Sequence, residues 1–340
     1  MAQTASHPRH GTGEVLAPDD LSAQLEVYRR ELTGYCYRLL GGAFDADDAV
    51  QETLLRAWRS YERFEGRSSL RTWLYRIATN VCFDQLGSSR AKRERPMGLG
   101  ASVDPVEESL ASVLPEYAWV EPVPTEHVLP GASDPADTTV ARESVRLAFV
   151  AALQHLPAKQ RAVLILREVL RWPATEVATL LDTSVASVNS ALQRARATLA
   201  DKAPDRSGAS EPSAPSSADE SALLERYVAA FERYDMKALA NLLREDAVMN
   251  MPPYAMWLEG IENIQAWMLG PGSDCEGSRC VPIHVNGTPG FAQYRRDPQG
   301  GHFAWGIVVL ENDGEHITGI TTFIDTEKWF PRFGLPSHIE

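Results

Sequence analysis

The chain has 340 residues, of which 44% are hydrophobic and 23% are charged, as in globular proteins. This length exceeds one ordinary domain, so we expect two or three. The longest apolar runs fall far short of the roughly 20 residues needed to cross a bilayer, which excludes a membrane-spanning protein. The polar N-terminus lacks the apolar segment of a secretory signal, so a cytoplasmic protein is expected.

The charge of the chain changes sign along its length. The sequence holds 33 basic and 46 acidic residues, a net charge of −13, which on average repels nucleic acid. The net charges of successive segments are −4 for residues 31–55, +6 for 56–95, −8 for 97–140, +4 for 141–202 and −10 for 203–340. Two basic segments are therefore separated by an acidic linker and followed by an acidic domain.

Residues 21–95 are predicted to form a small all-helical domain. Apolar residues recur at spacings of three and four from Leu25 to Leu40, and two further runs with the same spacing follow. Residues 96–140 combine Pro, Gly and acids, which disfavours regular structure and indicates an acidic linker.

An acidic helix is predicted to begin near Phe44. Its first turn holds Asp45, Asp47 and Asp48, and carboxylates at a helix N-terminus are explained by the helix dipole alone. The polar residues further along, such as Glu52, are not explained in that way and are candidates for binding a partner.

Basic and aromatic residues alternate on the next helix, which follows a Gly66-Arg-Ser-Ser loop. Stacking of an unpaired base on an aromatic ring, with Arg on the backbone, needs this combination. Trp73 can equally be a core residue, and both readings stay open at this point.

A second helical domain is predicted over residues 141–202, and it contains a helix-turn-helix pattern. The first helix buries Val177, a turn falls at Asp182, Ser184 caps the second helix, and that helix buries Val188. An ordinary helical hairpin would show the same pattern. The residues placed to reach base edges or phosphates are Ser184, Val185, Ser187, Ser190, Arg194 and Arg196.

Residues 203–219, rich in Ser and Pro, are predicted to be a flexible linker. From residue 220 to residue 340, two helices precede strand-like runs, which indicates an α+β domain. The predicted strands are 247–251, 281–285, 291–295, 303–310 and 317–324.

In this order, the three helical stretches resemble bacterial extracytoplasmic-function sigma factors. The resemblance implies that the acidic helix docks on the β′ clamp helices of RNA polymerase core, with a further contact to the β flap. It also implies that the basic aromatic helix captures bases of the −10 promoter element and that the helix-turn-helix reads the −35 element of the promoter DNA. The implied polymerase contacts are Asp47, Asp48, Gln51, Glu52 and Arg56, and the implied −10 contacts are Arg67, Ser69, Trp73, Arg76 and Asn80.

The C-terminal half resembles the SnoaL and nuclear-transport-factor-2 class, whose fold is a curled sheet around a pocket. The expected fold class is thus multidomain: two all-α modules, corresponding to sigma region 2 and region 4, plus this α+β domain. The candidate pocket residues are Met251, Trp257, His284, Tyr294, His302 and Trp305. The pocket would take a small-molecule ligand, and we expect no catalytic residue, cofactor or metal site.

Two other functions remain open: a polymerase-independent, dimeric DNA-binding regulator, or a small-molecule enzyme with a DNA-binding appendage. Neither explains an acidic helix followed by a basic aromatic one. Since the C-terminal domain is acidic, we expect it to regulate the sigma portion by contacting the basic faces at 56–95 and 141–202.

Overall fold

The computed structural model describes residues 18–87, 102–115, 118–129, 135–202 and 217–340. Residues 88–101 and 203–216, which include most of the predicted flexible linker, lie outside the described residues, as do 116–117 and 130–134. Within the described ranges, no helix has the length and apolar character required to cross a bilayer.

Four helices form the N-terminal module: α1 (Pro18–Glu26), α2 (Arg29–Leu40), α3 (Ala43–Ser60) and α4 (Leu70–Gly87). Helix α2 lies at its centre, and every residue from Leu32 to Leu40 is buried. The helix ends at Gly41, whose φ of 72° is readily adopted only by glycine, and the chain turns directly into α3.

The predicted linker is packed, although its regular structure is limited to short elements such as helix α5 (Thr125–Val128). Its buried side chains include Trp119, Val120, Glu121, Val123, Val128 and Leu129. On one side the Tyr37 hydroxyl donates to the Glu121 carbonyl at 2.7 Å. On the other side the Asn286 backbone N–H donates to the Val123 carbonyl at 3.0 Å. The linker therefore fills the space between the N-terminal module and the C-terminal domain.

Five helices form the central module: α6 (Pro135–Glu143), α7 (Leu147–Gln154), α8 (Ala158–Leu164), α9 (Ala174–Leu180) and α10 (Val185–Lys202). Helix α10 packs against α8 and α9. The buried apolar residues of this module join those of the N-terminal module in one continuous cluster. The two modules thus share a core in this structure.

The C-terminal domain contains four helices, α11 (Ser217–Glu232), α12 (Met236–Ala240), α13 (Ile261–Leu269) and α14 (Thr326–Arg332). Its strands are β1 (Leu243–Asn250), β2 (Trp257–Glu259), β3 (Arg279–Val285), β4 (Thr288–Arg296), β5 (His302–Asn312), β6 (Ile317–Phe323) and β7 (His338–Ile339). The strand order is β2-β1-β6-β5-β4-β3, with β7 paired to β5. Only β1 and β6 pair in parallel. The five predicted strands correspond to β1 and β3 to β6.

The sheet is covered on both faces, which is why seven successive residues of β4 are buried. One face, including Phe291 and Val308, joins the cluster formed by α11, α12 and α13. The other face, including Ala292 and Ile307, joins the cluster shared by α14, the linker and the two helical modules. The predicted fold class, two all-α modules and an α+β domain, is confirmed.

Candidate polymerase and promoter interfaces

Helix α3 carries the candidate polymerase contacts on one exposed face. Its small and apolar residues, such as Ala46 and Val50, are buried against α2 and α4. Asp48, Gln51 and Arg56 are exposed, whereas Asp47 and Glu52 are half-buried. On the same face Leu55 is 40% and Trp58 49% exposed. Such exposure of large apolar side chains is a feature of protein-binding surfaces, and the helical spacing in the sequence does not distinguish these two residues from core residues.

The N-terminus of α3 is capped from a distant part of the chain. Gly42, at the N-cap position, has no side chain to accept the free backbone N–H groups. Instead the carboxylate of Glu121 accepts from the N–H of Ala43 at 2.7 Å and from that of Phe44 at 3.4 Å. Its other oxygen accepts from Lys328 Nζ at 2.8 Å. One linker carboxylate therefore joins α3 to the C-terminal domain.

Arg332 makes a second connection between α14 and α3. Its guanidinium donates to Asp47 at 2.7 Å and to the Ala43 carbonyl at 3.3 Å. It also lies over the Phe44 ring, 4.8 Å from the centroid. We call Phe44, Asp47, Glu121, Lys328 and Arg332 the latch. Asp47 is a candidate polymerase contact, so the C-terminal domain occupies part of that surface.

A cleft of about 430 Å³ lies at the start of α4 and contains three of the five candidate −10 residues. Arg67, Trp73 and Arg76 line it, together with Phe64, whose ring centroid is 4.9 Å from that of Trp73. The half-buried Trp73 is thus both a packing partner and an accessible aromatic surface. Ser69 instead caps α4, because its hydroxyl accepts from the Thr72 N–H at 3.0 Å. Asn80 is exposed further along the helix and does not line the cleft.

The central module closes one side of this cleft, where Thr179 and Leu180 of α9 contribute to the lining. Beside it, Trp172 is 4% exposed and packs 4.8 Å from the Tyr75 ring. The Arg71 guanidinium lies 5.3 Å from the centroid of the Tyr75 ring and 5.1 Å from that of the Trp172 ring.

Arg71 also pairs with Glu31 at 3.0 Å. Burial raises the pKa of the Glu31 carboxyl, and the charge of Arg71 partly opposes that rise. The same burial raises the pKa of the Tyr75 phenol. The module boundary beside the cleft is therefore partly polar.

Helices α9 and α10 form the helix-turn-helix. Asp182 has a φ of 48°, which Asp tolerates better than most residues. The Ser184 hydroxyl accepts from the Ser187 N–H at 3.1 Å and so caps α10. The other candidate −35 residues, Val185, Ser187, Ser190, Arg194 and Arg196, are all exposed. Arg196 pairs with Glu168 at 2.7 Å on the surface, where such pairs are weak.

Comparison with known proteins assigns these parts to families. Residues 25–92 match Sigma-70 region 2, residues 146–199 match Sigma-70 region 4, and residues 224–320 match the SnoaL-like domain. The chain is 46% identical to the ECF RNA polymerase sigma factor SigG of Mycobacterium tuberculosis, over 94% of this chain and 85% of that protein. The chain belongs to the extracytoplasmic-function sigma factors.

Solved structures agree with this assignment at the level of the fold. The crystal structure of the Mycobacterium tuberculosis sigma factor SigJ aligns with a TM-score of 0.58 and 22% identity, covering 90% of this chain and 97% of that one. By sequence alone, the extracytoplasmic-function sigma factor SigW of Bacillus subtilis is also similar, with 28% identity over 52% of this sigma factor and 84% of its own length.

The structure does not bring the six candidate pocket residues of this sigma factor together. Met251 belongs to the cluster with α11 to α13, whereas Tyr294 belongs to the cluster on the opposite face of the sheet. The Tyr294 hydroxyl donates to the Pro336 carbonyl at 3.0 Å. Trp305 is half-buried, and the Arg295 guanidinium stacks on it, 3.7 Å from the centroid of the Trp305 ring.

The remaining candidates are placed as follows in the described part of the C-terminal domain. His284 is exposed, Trp257 is half-buried on the short strand β2, and His302 contacts the Gly277 carbonyl at 3.1 Å through Nε2. The candidates are divided between the two faces of the sheet because successive side chains along a strand point to opposite faces.

Proposed function

We propose that this sigma factor docks on RNA polymerase core through α3, captures −10 bases in the cleft and reads the −35 element with α10. We further propose that the C-terminal domain holds the sigma portion closed through the latch. The family membership supports transcription initiation over a polymerase-independent regulator or an enzyme. The C-terminal domain is given no catalytic role in this proposal.

The exposed face of α3 supports the docking step. Asp48 and Glu52 are its acidic residues, Glu52 pairs with Arg56 at 2.6 Å, and the exposed Leu55 and Trp58 add apolar area beside these charges. A charged patch with an apolar centre is typical of protein interfaces, because the charges guide orientation and the apolar contacts supply free energy.

The closed arrangement supports a requirement for opening. Elements at −10 and −35 lie about 25 base pairs apart, which is about 85 Å along B-form DNA. In this structure Leu180 of the helix-turn-helix lines the same cleft as Trp73. Because one rigid closed form cannot contact two sites so far apart, the N-terminal and central modules must separate on the promoter.

The observation that carries the regulatory step is the pairing of Arg332 with Asp47. The Arg332 side chain is 8% exposed and Asp47 48% exposed, so the contact excludes much of the solvent from the guanidinium. From the charges in the sequence, acidic groups of the C-terminal domain are expected to contact the basic faces at 56–95 and 141–202. At α3 the signs are reversed, with Lys328 and Arg332 as the basic partners. At the central module the pairing of Glu220 with Arg146 supports the expected contact between an acidic group of the C-terminal domain and a basic face.

A single substitution tests the regulatory step. Arg332→Ala frees Asp47 and should increase the affinity of the full-length chain for core polymerase by about 12- to 150-fold, since a hydrogen bond to a charged group contributes about 1.5–3 kcal/mol. Arg226→Ala, at an exposed arginine of the same domain, is the matched control and should leave the affinity unchanged.

The measurement is a titration of labelled sigma factor with core polymerase, with circular dichroism to verify folding. If the folded Arg332→Ala protein binds core more weakly than the wild-type protein, the C-terminal domain supports docking and the inhibitory role is wrong. Absence of promoter-specific run-off transcription with core by both the wild-type protein and the released Arg332→Ala protein would reject the initiation function as a whole.

A further inference from the structure

The recognition helix α10 has an exposed stripe whose composition is unusual for a surface that binds a polyanion. Val188, Ala191, Leu192 and Ala195 are buried and fix the orientation of the helix on the central module. At about 100° per residue, the opposite side is formed by Ala186, Ser190, Gln193 and Ala197; Asn189 lies at its border, about 20° around the axis from Arg196 but about two turns nearer the helix N-terminus, where recognition helices contact base edges. All five of these residues are exposed. The centre of the stripe therefore carries no charge.

Two arginines border this stripe on opposite sides. Arg194 and Arg196 project about 160° apart around the helix axis, with Gln193 between them. Both side chains are exposed. In a helix seated in the major groove, residues at the two borders face the two phosphate backbones, and residues at the centre face the base edges. The charge pattern of α10 matches this division.

Asn189 and Gln193 are the side chains at this surface with the richest hydrogen-bonding capacity, and among the described contacts neither amide is used within the chain. One Asn or Gln amide can donate to N7 and accept from N6 of the same base only when that base is adenine, because guanine presents two acceptors, N7 and O6, at these positions. The neighbouring Ala186 and Ser190 are small enough to let the helix approach the groove floor.

We propose that Asn189 and Gln193 are specificity-determining residues that each read one A·T pair of the −35 element. This assignment rests on the proposed −35 function of α10 and adds two residues to the set expected from the sequence. The two residues are four positions apart, or about 6 Å along the helix. Since base pairs rise about 3.4 Å each, the two A·T pairs should lie one or two positions apart.

The test uses the full-length protein with core polymerase and a promoter that the wild-type holoenzyme transcribes. The −35 element is randomised, the −10 element is kept, and the transcripts are sequenced. Asn189→Ala and Gln193→Ala should each remove the preference for one A·T pair, by about 5- to 150-fold, and leave the other positions unchanged. Arg194→Ala is the contrast on the same helix: it should weaken all sequences equally and reduce the salt dependence.

A third variant makes the test independent of lost binding. Gln193→Glu replaces a donor–acceptor amide by an acceptor, so the preference at its position should move from adenine to cytosine, whose N4 donates. If the wild-type base preference at the −35 element is unchanged in Asn189→Ala, Gln193→Ala and Gln193→Glu, this assignment is wrong and the proposed −35 function stands. A wild-type holoenzyme with no preference at the −35 element overturns the proposed −35 function and this assignment with it.

Discussion

Helices α3 and α10 have the same length, 18 residues, yet their N-termini are stabilised in different ways. The cap of α10 is local, because Ser184 accepts from the N–H of Ser187 three residues later. The cap of α3 comes from Glu121, 78 residues beyond Ala43, and the same carboxylate binds Lys328 of the C-terminal domain. The DNA-reading helix is self-contained, whereas the polymerase-docking helix depends on two other parts of the chain.

This difference indicates where regulation acts. A change in the position of α14 alters the charges and the cap at the start of α3. No residue of the latch belongs to α10. Signals received by the C-terminal domain should therefore change the affinity for polymerase more than the choice of −35 sequence.

Reversing charge on the exposed face of α3 should have the largest effect. Asp48→Arg together with Glu52→Arg places like charges against a basic partner, at an expected penalty of about 3 kcal/mol, or about 100-fold in core affinity. Glu107→Arg with Glu108→Arg, at two exposed acids of the linker, is the matched control. Normal assembly of the α3 double variant with core, at unchanged helical circular dichroism, would remove the docking role.

Removing the cleft tryptophan should impair a later step. Trp73→Ala is expected to slow promoter opening by about 5- to 150-fold, since a stacked base contributes about 1–3 kcal/mol, and to leave core binding intact. Trp58→Ala should show the reverse, because Trp58 lies on the exposed face of α3. Permanganate footprinting measures opening. Equal effects of both substitutions on opening would assign Trp73 to packing against Phe64.

Local features of this molecule were predictable from sequence, and long-range ones were not. The turn at Asp182 and the cap at Ser184 follow from residue types within a few positions of each other. The pairing of Arg332 with Asp47 spans 285 residues and leaves no periodic signal. The sequence could not show which face of the sheet each candidate pocket residue lies on. The sheet is covered on both faces, so a strand such as β4 has no alternation of buried and exposed residues over its first seven positions.

Neutralising the distant cap of α3 should have an intermediate effect. Glu121 is 6% exposed, and Glu121→Gln removes the charge that stabilises both the α3 N-terminus and Lys328. We expect the free energy of unfolding to fall by about 1–3 kcal/mol. Urea denaturation measures the loss, and Lys328→Met in the Glu121→Gln background should add little, since the pair is already broken. Additive losses would show that Glu121 and Lys328 are not coupled.

Removing the local cap of α10 should have the smallest effect. Ser184→Ala deletes the acceptor for the Ser187 N–H, which costs about 1 kcal/mol of helix stability. Because Ser184 caps its own helix and contacts no part of the latch, the loss should appear as weaker −35 binding of a few fold, with core affinity unchanged.

Ser184→Asp is the matched control for this last change. An Asp side chain is an equally good cap and adds a negative charge near the helix N-terminus, so it restores helix stability while repelling phosphate. If Ser184→Asp has normal stability but binds the −35 element more weakly than Ser184→Ala, position 184 lies close enough to a phosphate for the added charge to be repelled. A loss of core affinity in Ser184→Ala would instead show that α10 and α3 are coupled, which would contradict the separation of the two helices.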